Sequence, residues 1–315
     1  MVELLAVEDL TVGFHTDAGL AQVLDGAGLR IDAGEVVGLV GESGCGKTTL
    51  ARAILGVLAP AARIGGGIIR FKGEDLLQQD AARLSRDIRG RAITFIPQDP
   101  YGSFNPLFTV GAQIRDLVRW KAPRAGRERV MELLRAVQIP EPERALEKLP
   151  HEFSGGQRQR LMIAMALLPE PDLIIADEPT TALDVTIQAQ ILKLLRDLVK
   201  DRGISVLFTT HDLGTAWEIC DRVSVLYAGQ DMEAAPTASF FAAAAHPYTR
   251  ALLLSLPDPE GDIRDIPGEV PSLLEPPSGC RFHPRCGRAS EACRSRPPRR
   301  EPAPGHLVRC HHPVA

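Results

Sequence analysis

The sequence lacks the features of a membrane-spanning or secreted chain. It has no run of about eighteen or more apolar residues, so no segment is expected to cross a bilayer. Residues 1–5 carry an acid and no basic stretch, so no signal peptide is predicted. We therefore expect a cytosolic protein whose six cysteines are not a disulfide framework.

An excess of positive charge is also absent. The 36 Lys and Arg residues stand against 40 Asp and Glu residues, which gives a formal net charge of −4. This balance does not indicate nucleic-acid binding by the chain as a whole. The hydrophobic fraction of 44% and the charged fraction of 24% are ordinary for a globular protein.

The chain does contain a complete phosphate-binding loop pattern at residues 41–48, which match Gly-x-x-x-x-Gly-Lys-Ser/Thr at every fixed position. An apolar run at 36–40 predicts a buried strand before the loop, and helical spacing follows it. Glycines allow a tight turn whose N–H groups face phosphate oxygens. Lys47 can pair with the β- and γ-phosphates, and Thr48 can coordinate Mg²⁺. The residues predicted to bind nucleotide here are Gly41, Ser43, Gly44, Cys45, Gly46, Lys47, Thr48 and Thr49.

An apolar strand at 173–176 ends in two carboxylates, Asp177 and Glu178. Ligands of open α/β sheets collect at the carboxyl ends of strands. Asp177 is therefore predicted to hold Mg²⁺, directly or through water, and Glu178 to orient and deprotonate an attacking water. A solvated acidic strand end is the alternative.

A second anion-binding helix start is predicted at Phe153–Gln157. Ser154 is a good helix N-cap, and Gly155 and Gly156 expose backbone N–H groups. Taken alone, the segment favours an ordinary helix cap.

The wider pattern predicts an α/β fold. Residues 1–33 alternate in short, mostly antiparallel strands, and about 100–167 is helical. Strands and helices alternate from 172 to 227, which favours a doubly wound sheet. No internal repeat is visible, so one nucleotide-binding unit is expected. The predicted helices are Val110–Trp120, Gly126–Val137, Ser154–Leu168 and Ile187–Asp201.

With these motifs in this order, residues 1 to about 235 resemble the ATP-binding cassette (ABC) family. Phe14 lies where the family has an adenine-stacking aromatic, although core packing is an equal alternative. A packed core position is likewise the alternative for His211. The matching segments are Gly41–Thr48 (Walker A), Gln98 (Q-loop), Phe153–Gln157 (signature, with Phe for the usual Leu), Asp177-Glu178 (Walker B and catalytic glutamate), Ala182-Leu183-Asp184 (D-loop) and His211 (switch histidine).

The resemblance implies a P-loop NTPase cassette at 1–235, with a RecA-like parallel sheet core, an antiparallel β subdomain and a helical subdomain at about 100–167. It also implies a head-to-tail dimer that sandwiches each ATP between one subunit's Walker A loop and the other's signature helix. The implied catalytic residues are Lys47, Gln98, Glu178 and His211, and the implied Mg²⁺ ligands are Thr48, Gln98 and Asp177. The implied further nucleotide contacts are Phe14, Gln98, Ser154, Gly155, Gly156, Gln157, Asp177 and Asp184.

Four segments extend the resemblance to a subfamily, the ATPase subunits of oligopeptide, dipeptide and nickel importers. They are Gly41–Lys47, Gln98–Pro106, Ala245–Leu252 and the cysteine-rich end. The implied partners are a second ATPase subunit, favoured as a paralogue, two membrane permeases and an extracytoplasmic solute-binding protein, with this chain at the cytoplasmic face of the membrane. The resemblance favours the ATP-hydrolysing subunit of a peptide-type importer, and nickel chelates and other small solutes stay open as alternative cargo. The rival is a soluble ABC ATPase of DNA repair or translation, without transport. No nucleic acid is expected among the partners of the importer subunit.

The composition changes beyond residue 256, where prolines become dense and periodicity is lost. We expect 236–315 to be a C-terminal extension with a small, irregular, cysteine-rich end. From Cys280 onward it has eight arginines and two acids, and too few aliphatic residues for a core. An arginine-rich tail that binds nucleic acid is a further alternative.

Four cysteines of this end, Cys280, Cys286, Cys293 and Cys310, are separated by five, six and sixteen residues. Four thiolates are the usual complement of a [4Fe–4S] cluster, and the subfamily resemblance points the same way. Structural zinc and four free thiols are the alternatives. A mixed ligand set is conceivable with the nearby His283, His306, His311 and His312.

Overall fold

The computed structural model describes residues 2–180, 185–256 and 265–314. It divides into two compact units: a first unit of 1–32, 36–77 and 210–315, and a second unit of 33–35 and 78–209. Within the described ranges, every helix falls short of the length or the hydrophobicity that a bilayer-spanning helix needs. The predicted D-loop, with Asp184, lies outside the described residues.

The strands of the described residues are numbered in chain order. They are β1 (Glu3–Thr16), β2 (Gly19–Asp32), β3 (Val36–Val40), β4 (Ala62–Phe71), β5 (Glu74–Asp75), β6 (Ile93–Ile96), β7 (Leu173–Asp177), β8 (Ser205–Thr210), β9 (Arg222–Tyr227), β10 (Gln230–Pro236), β11 (Arg299–Ala303) and β12 (His306–Arg309).

The helices are numbered in the same way. They are α1 (Lys47–Leu55), α2 (Ala81–Arg83), α3 (Val110–Lys121), α4 (Arg127–Ala136), α5 (Pro142–Ala145), α6 (Gly155–Leu167), α7 (Val185–Arg202), α8 (Leu213–Ile219), α9 (Thr237–Ala242) and α10 (Pro247–Leu254). Short 3₁₀ turns occur at Leu76–Gln78, Pro150–Glu152, His283–Arg285 and Glu291–Arg294, and one π-helical turn at Leu84–Ile88.

The first unit contains an antiparallel sheet in the order β2-β1-β4-β5. The prediction of short strands in residues 1–33 is wrong, because β1 and β2 each span 14 residues. The polar pair Glu8-Asp9, which suggests a turn, lies at a break in register between Val7 and Leu10. Asp9 has a φ of 48° there, so a bulge absorbs the polar residues and the strand continues.

A second set of strands in the first unit runs in the order β11-β12-β10-β9-β3. β9 is parallel to β3, and the remaining neighbours are antiparallel. The turn from β9 to β10 places Ala228 at a φ of 44° and Gly229 at 86°, which suits a tight hairpin. β10 was not predicted from the sequence.

The expectation of an irregular C-terminal end is corrected in part. Among the described residues of the extension, β11 and β12 form a hairpin, and β12 pairs with β10 through Glu233–Val308 and Ala234–Leu307. β12 has only four residues, too few for a periodic signal, so its strand conformation depends on the β10 edge.

The second unit contains the parallel strands β8, β7 and β6 in that order. All five residues of β7 are buried, as expected of a parallel strand covered on both faces. The helical predictions at 110–120, 126–137, 154–168 and 187–201 are confirmed to within one or two residues at each end.

Candidate functional site

The phosphate-binding loop joins β3 to α1 in the first unit. Gly46 caps α1 with a φ of 109°, a conformation that glycine adopts without a Cβ penalty. A Cβ added at Gly41 would lie 2.1 Å from the carbonyl oxygen of Leu226. The backbone path of the loop therefore requires glycine at both positions.

Lys47 is buried at the first position of α1. Its Nζ donates to the carbonyl oxygens of Gly41 at 2.8 Å and Glu42 at 3.4 Å. The ammonium group is thus held against the loop whose N–H groups are predicted to receive phosphate. Its role in nucleotide binding stays a prediction.

Cys45 occupies the inner side of the loop. Burial raises the pKa of its thiol, and the Lys47 charge only partly opposes this. Its N–H donates to the Glu42 carbonyl at 3.2 Å, and its own carbonyl accepts from Gly229 N at 2.8 Å. The Cys45 side chain is buried, so its contact with nucleotide stays a prediction.

The other predicted residues of the first unit differ in exposure. Ser43 and Gly44 are exposed at the tip of the loop, and Thr48 and Thr49 are half-buried in the first turn of α1. Phe14 is half-buried in β1, between the small cross-strand partners Ala21 and Ala62. His211 is exposed and comes directly before Asp212, the N-cap of α8.

The second unit brings Gln98, Asp177 and Glu178 together. Gln98 Nε2 donates to Glu178 Oε2 at 3.0 Å. Thr209 Oγ1 donates to Asp177 Oδ1 at 2.6 Å, and Glu178 N lies 3.1 Å from both Thr209 oxygens. Glu178 has a φ of 46°, so the backbone turns sharply where β7 ends. Of the predicted Mg²⁺ ligands, Gln98 and Asp177 belong to this unit and Thr48 to the first.

The predicted N-cap at Ser154 is confirmed. Ser154 Oγ accepts from Gln157 N at 3.3 Å, and Gln157 Oε1 accepts from Ser154 N at 3.1 Å, a reciprocal capping box. A Cβ added at Gly156 would lie 2.7 Å from the Ile187 side chain. Packing against α7 therefore favours glycine at this position, apart from any contact with nucleotide.

The four cysteines of the C-terminal end line one small cavity in the first unit. Cys280 N donates to the Cys293 carbonyl at 2.9 Å, which closes the segment on itself. Burial raises the pKa of Cys280 to about 12 and also raises the pKa values of Cys286 and Cys310. Within residues 2–180, 185–256 and 265–314, no group of three or more His, Cys, Asp or Glu side chains is placed to hold a single metal ion.

His246 lines the same cavity. Its Nδ1 accepts from Tyr248 N at 3.0 Å, and burial lowers its pKa to about 3, so the ring is neutral. A neutral imidazole whose Nδ1 accepts carries its proton on Nε2. That Nε2 is buried and has no hydrogen-bond partner among the described residues.

Comparison with known proteins places the chain in a family. The family profile described as ABC transporter matches residues 24–181. The probable peptide ABC transporter ATP-binding protein y4tR of Sinorhizobium fredii is 48% identical over 316 residues, covering 98% of this chain and 94% of the relative. The chain belongs to the ABC transporter family.

Other relatives of this ABC protein match equally much of its length. The oligopeptide transport ATP-binding protein OppD of Salmonella typhimurium is 44% identical over 99% of this chain and 94% of its own. The dipeptide transport ATP-binding protein DppD of Bacillus subtilis is 43% identical over 98% and 95%. A second profile, described as Oligopeptide/dipeptide transporter, C-terminal region, matches residues 232–293.

Solved ABC structures have the same fold. The dimeric post-hydrolysis state of the ATP-binding cassette MJ0796, bound to ADP and Pi, has a TM-score of 0.66 and 28% identity, covering 74% of this chain and 99% of that one. The cbiO1 protein of Clostridium perfringens has a TM-score of 0.65 and 29% identity, covering 77% and 92%. The chain is therefore an ATP-binding cassette ATPase.

Two features of this ABC chain were not predicted from its sequence. Thr209 joins Asp177 to Glu178, and the polar pair Thr209-Thr210 at the end of an apolar strand was a usable signal. Arg285 contacts Glu42 in the phosphate-binding loop. No local pattern marks Arg285 among the arginines of the C-terminal end.

Proposed function

We propose that this chain is the ATP-hydrolysing subunit of an importer for dipeptides and oligopeptides. The observation that carries the proposal is the C-terminal match at 232–293, together with relatives named for peptide, oligopeptide and dipeptide transport that align over nearly the whole chain. A nickel chelate or another small solute is the alternative cargo within the same subfamily.

In this proposal, Lys47 and the loop bind the phosphates of ATP, and Thr48, Gln98 and Asp177 hold Mg²⁺. Glu178 activates the attacking water, and His211 stabilises the γ-phosphate. Support comes from two contacts where β7 ends: Gln98 donates to the Glu178 carboxylate, and Thr209 accepts from the Glu178 main-chain N–H.

The proposed assembly contains a second ATPase subunit, favoured as a paralogue, two membrane permeases and an extracytoplasmic solute-binding protein. ATP binding closes the ATPase dimer and hydrolysis reopens it, at the cytoplasmic face of the membrane. The segment 98–106 passes the motion to the permeases. The domain division at 235/236 stays a prediction.

We further propose that the four cysteines bind a [4Fe–4S] cluster. The donor set fits such a group, because four thiols line one cavity together with a buried His246 Nε2–H that lacks a partner among the described residues. Imidazole N–H groups are suitable donors to cluster sulfur, and hydrogen bonds to the sulfurs tune cluster potentials. Bound there, the group would cross-link four points of a segment poor in aliphatic residues. Zinc is the alternative occupant.

Transport in proteoliposomes tests the cargo. The chain is reconstituted with candidate permeases and a candidate partner ATPase, and uptake of labelled dipeptides, oligopeptides and a nickel chelate is compared. We expect ATP-dependent peptide uptake that Glu178→Gln abolishes. Uptake of nickel alone, or ATPase activity that no permease affects, would contradict the peptide proposal.

A further inference from the structure

An arginine from the C-terminal end reaches into the phosphate-binding loop of the same unit. Arg285 Nη1 lies 2.9 Å and Nη2 3.4 Å from the two carboxylate oxygens of Glu42, the second residue of that loop. The Arg285 side chain is only 5% exposed and that of Glu42 26%. Charge-assisted pairing of a fork-shaped guanidinium with a carboxylate is strong and directional.

The remaining donors of Arg285 are also used. Nε donates to the Pro267 carbonyl and Nη2 to the Ile266 carbonyl, both at 2.9 Å, while Nη1 donates to the Tyr227 hydroxyl at 3.2 Å. The guanidinium is therefore fixed before any ligand arrives, and its contact with Glu42 does not require rearrangement.

Tyr248 holds the same loop residue at its backbone. Glu42 N donates to the Tyr248 hydroxyl at 3.2 Å. The Tyr248 ring is fully buried and packs on Tyr227 at 4.5 Å and on Phe282 at 5.2 Å between ring centroids. The polar groups of Glu42 thus contact α10 and the cysteine-rich end on one side and Lys47 on the other.

Arg281 anchors the cysteine-rich end beneath the loop. It is fully buried; Nη1 donates to the carbonyls of Gln22, at 2.9 Å, and Ala228, and its main-chain N donates to Gln230 Oε1 at 3.0 Å. Ala228 neighbours Gly229, whose N–H donates to the Cys45 carbonyl. The end therefore contacts the phosphate-binding loop directly at Glu42 and indirectly, through the β9–β10 turn, at Cys45.

We propose that Arg285 and Tyr248 are positioning residues for nucleotide binding, through which the C-terminal extension sets the affinity of the phosphate-binding loop. The inference rests on the proposed binding of nucleotide phosphates at this loop. Two physical effects support it. A clamped loop keeps its N–H groups preorganised for phosphate. Arg285 also neutralises Glu42, whose charge would otherwise repel an incoming nucleotide at close range.

The repulsion argument makes the test specific. The full-length chain is titrated with a fluorescent ATP analogue and Mg²⁺, and the melting temperature is measured for each variant. Arg285→Met should weaken binding about ten-fold, the scale of one charge-assisted hydrogen bond. Adding Glu42→Gln to Arg285→Met should restore much of the affinity, because it removes the unpaired charge. Tyr248→Phe should weaken binding of the analogue about three-fold.

Arg294→Met is the matched control. Arg294 lies in the same segment and pairs with Glu291 at 3.6 Å, but its side chain is 67% exposed. The Arg294→Met variant should bind the analogue with the affinity of the parent chain. If Arg285→Met fails to fold, Arg285→Lys, which keeps the charge and loses the fork, is expected to give an intermediate loss.

Two outcomes would overturn the inference. One is parental affinity in Arg285→Met or Arg285→Lys together with lost binding in Lys47→Ala. That result would contradict the positioning role but not the proposed nucleotide site. The other is a loss of affinity in Arg285→Met that adding Glu42→Gln does not relieve and that parallels a fall in melting temperature. A merely structural role of Arg285 would give this result. A failure of Lys47→Ala to affect binding would instead contradict the nucleotide site itself.

Discussion

Gln98 Nε2 lies 3.0 Å from Glu178 Oε2, so an amide N–H donates to the carboxylate that is predicted to activate water. Ile96 of β6 pairs with Ala176 of β7 in a parallel register. Gln98 lies two positions after Ile96, and Glu178 lies two positions after Ala176. Parallel strands end at the same edge of a sheet, where ligands bind. The equal offset explains why two residues eighty positions apart meet.

The first prediction concerns Glu178 as the general base. Glu178→Gln keeps the shape of the side chain but removes its basicity, so turnover should fall about 100-fold or more while ATP binding is retained. ATPase rates of the assembled complex and nucleotide titrations measure the two effects. Glu170→Gln is the control, since Glu170 is also a glutamate with positive φ in the second unit. Parental turnover in Glu178→Gln would refute the role.

The second prediction concerns Thr209, which contacts both carboxylate residues. Thr209→Val removes the hydroxyl that donates to Asp177 and lies 3.1 Å from Glu178 N, at nearly constant volume. Turnover should fall about ten-fold, because small displacements of catalytic groups are costly, and the Mg²⁺ requirement should rise. Thr209→Ser should recover both values.

Thr94→Val serves as the control for this pair of variants. The Thr94 hydroxyl is buried on β6 and has no hydrogen-bond partner among the described residues. Its replacement by a methyl group should leave turnover unchanged and stability equal or higher. Equal turnover in Thr209→Val and the parent would show that the hydroxyl does not position the carboxylates.

The sequence was sufficient where local pattern and tertiary structure agree. β3 is an apolar run, β7 and β8 are apolar runs that end in polar residues, and the Ser154 cap follows from one short motif. The sequence was insufficient where the local backbone conformation depends on a partner that is distant in the chain. Asp9 becomes a bulge because β1 has neighbours on both sides, and β12 is a strand because β10 offers an edge.

The same limit applies to the candidate sites. The strand-end position predicted Glu178 and the family resemblance implied Gln98, but neither signal revealed Arg285, whose contact with Glu42 spans 243 positions. Arg281, Arg285 and Arg294 are alike in sequence context, and only packing makes the first two buried anchors and leaves the third exposed. The density of arginines alone suggested only the alternative of a nucleic-acid-binding tail.

The third prediction separates nucleotide binding from dimer formation. Lys47→Ala should weaken binding of MgATP to the single chain about ten-fold or more, since it removes a charge facing the phosphates. Ser154→Arg should leave that binding unchanged but abolish hydrolysis by the complex, because the side chain blocks the proposed shared site. Thr109→Arg is the control, as Thr109 also caps a helix of the second unit. An isolated chain that hydrolyses ATP at the rate of the complex would contradict the shared site.

The last prediction concerns the occupant of the four-cysteine cavity. Protein purified without oxygen should contain about four irons with labile sulfide and absorb broadly near about 400 nm. Cys293→Ser removes one of the four thiols and should abolish iron binding and lower the melting temperature, because the segment loses its cross-link. Cys220→Ser is the matched control, since Cys220 and Cys293 are both 6% exposed but only Cys293 lines the cavity. One zinc per chain without labile sulfide would indicate a zinc site instead of a cluster. Metal-free protein, with the parental melting temperature retained in Cys293→Ser, would indicate four free thiols.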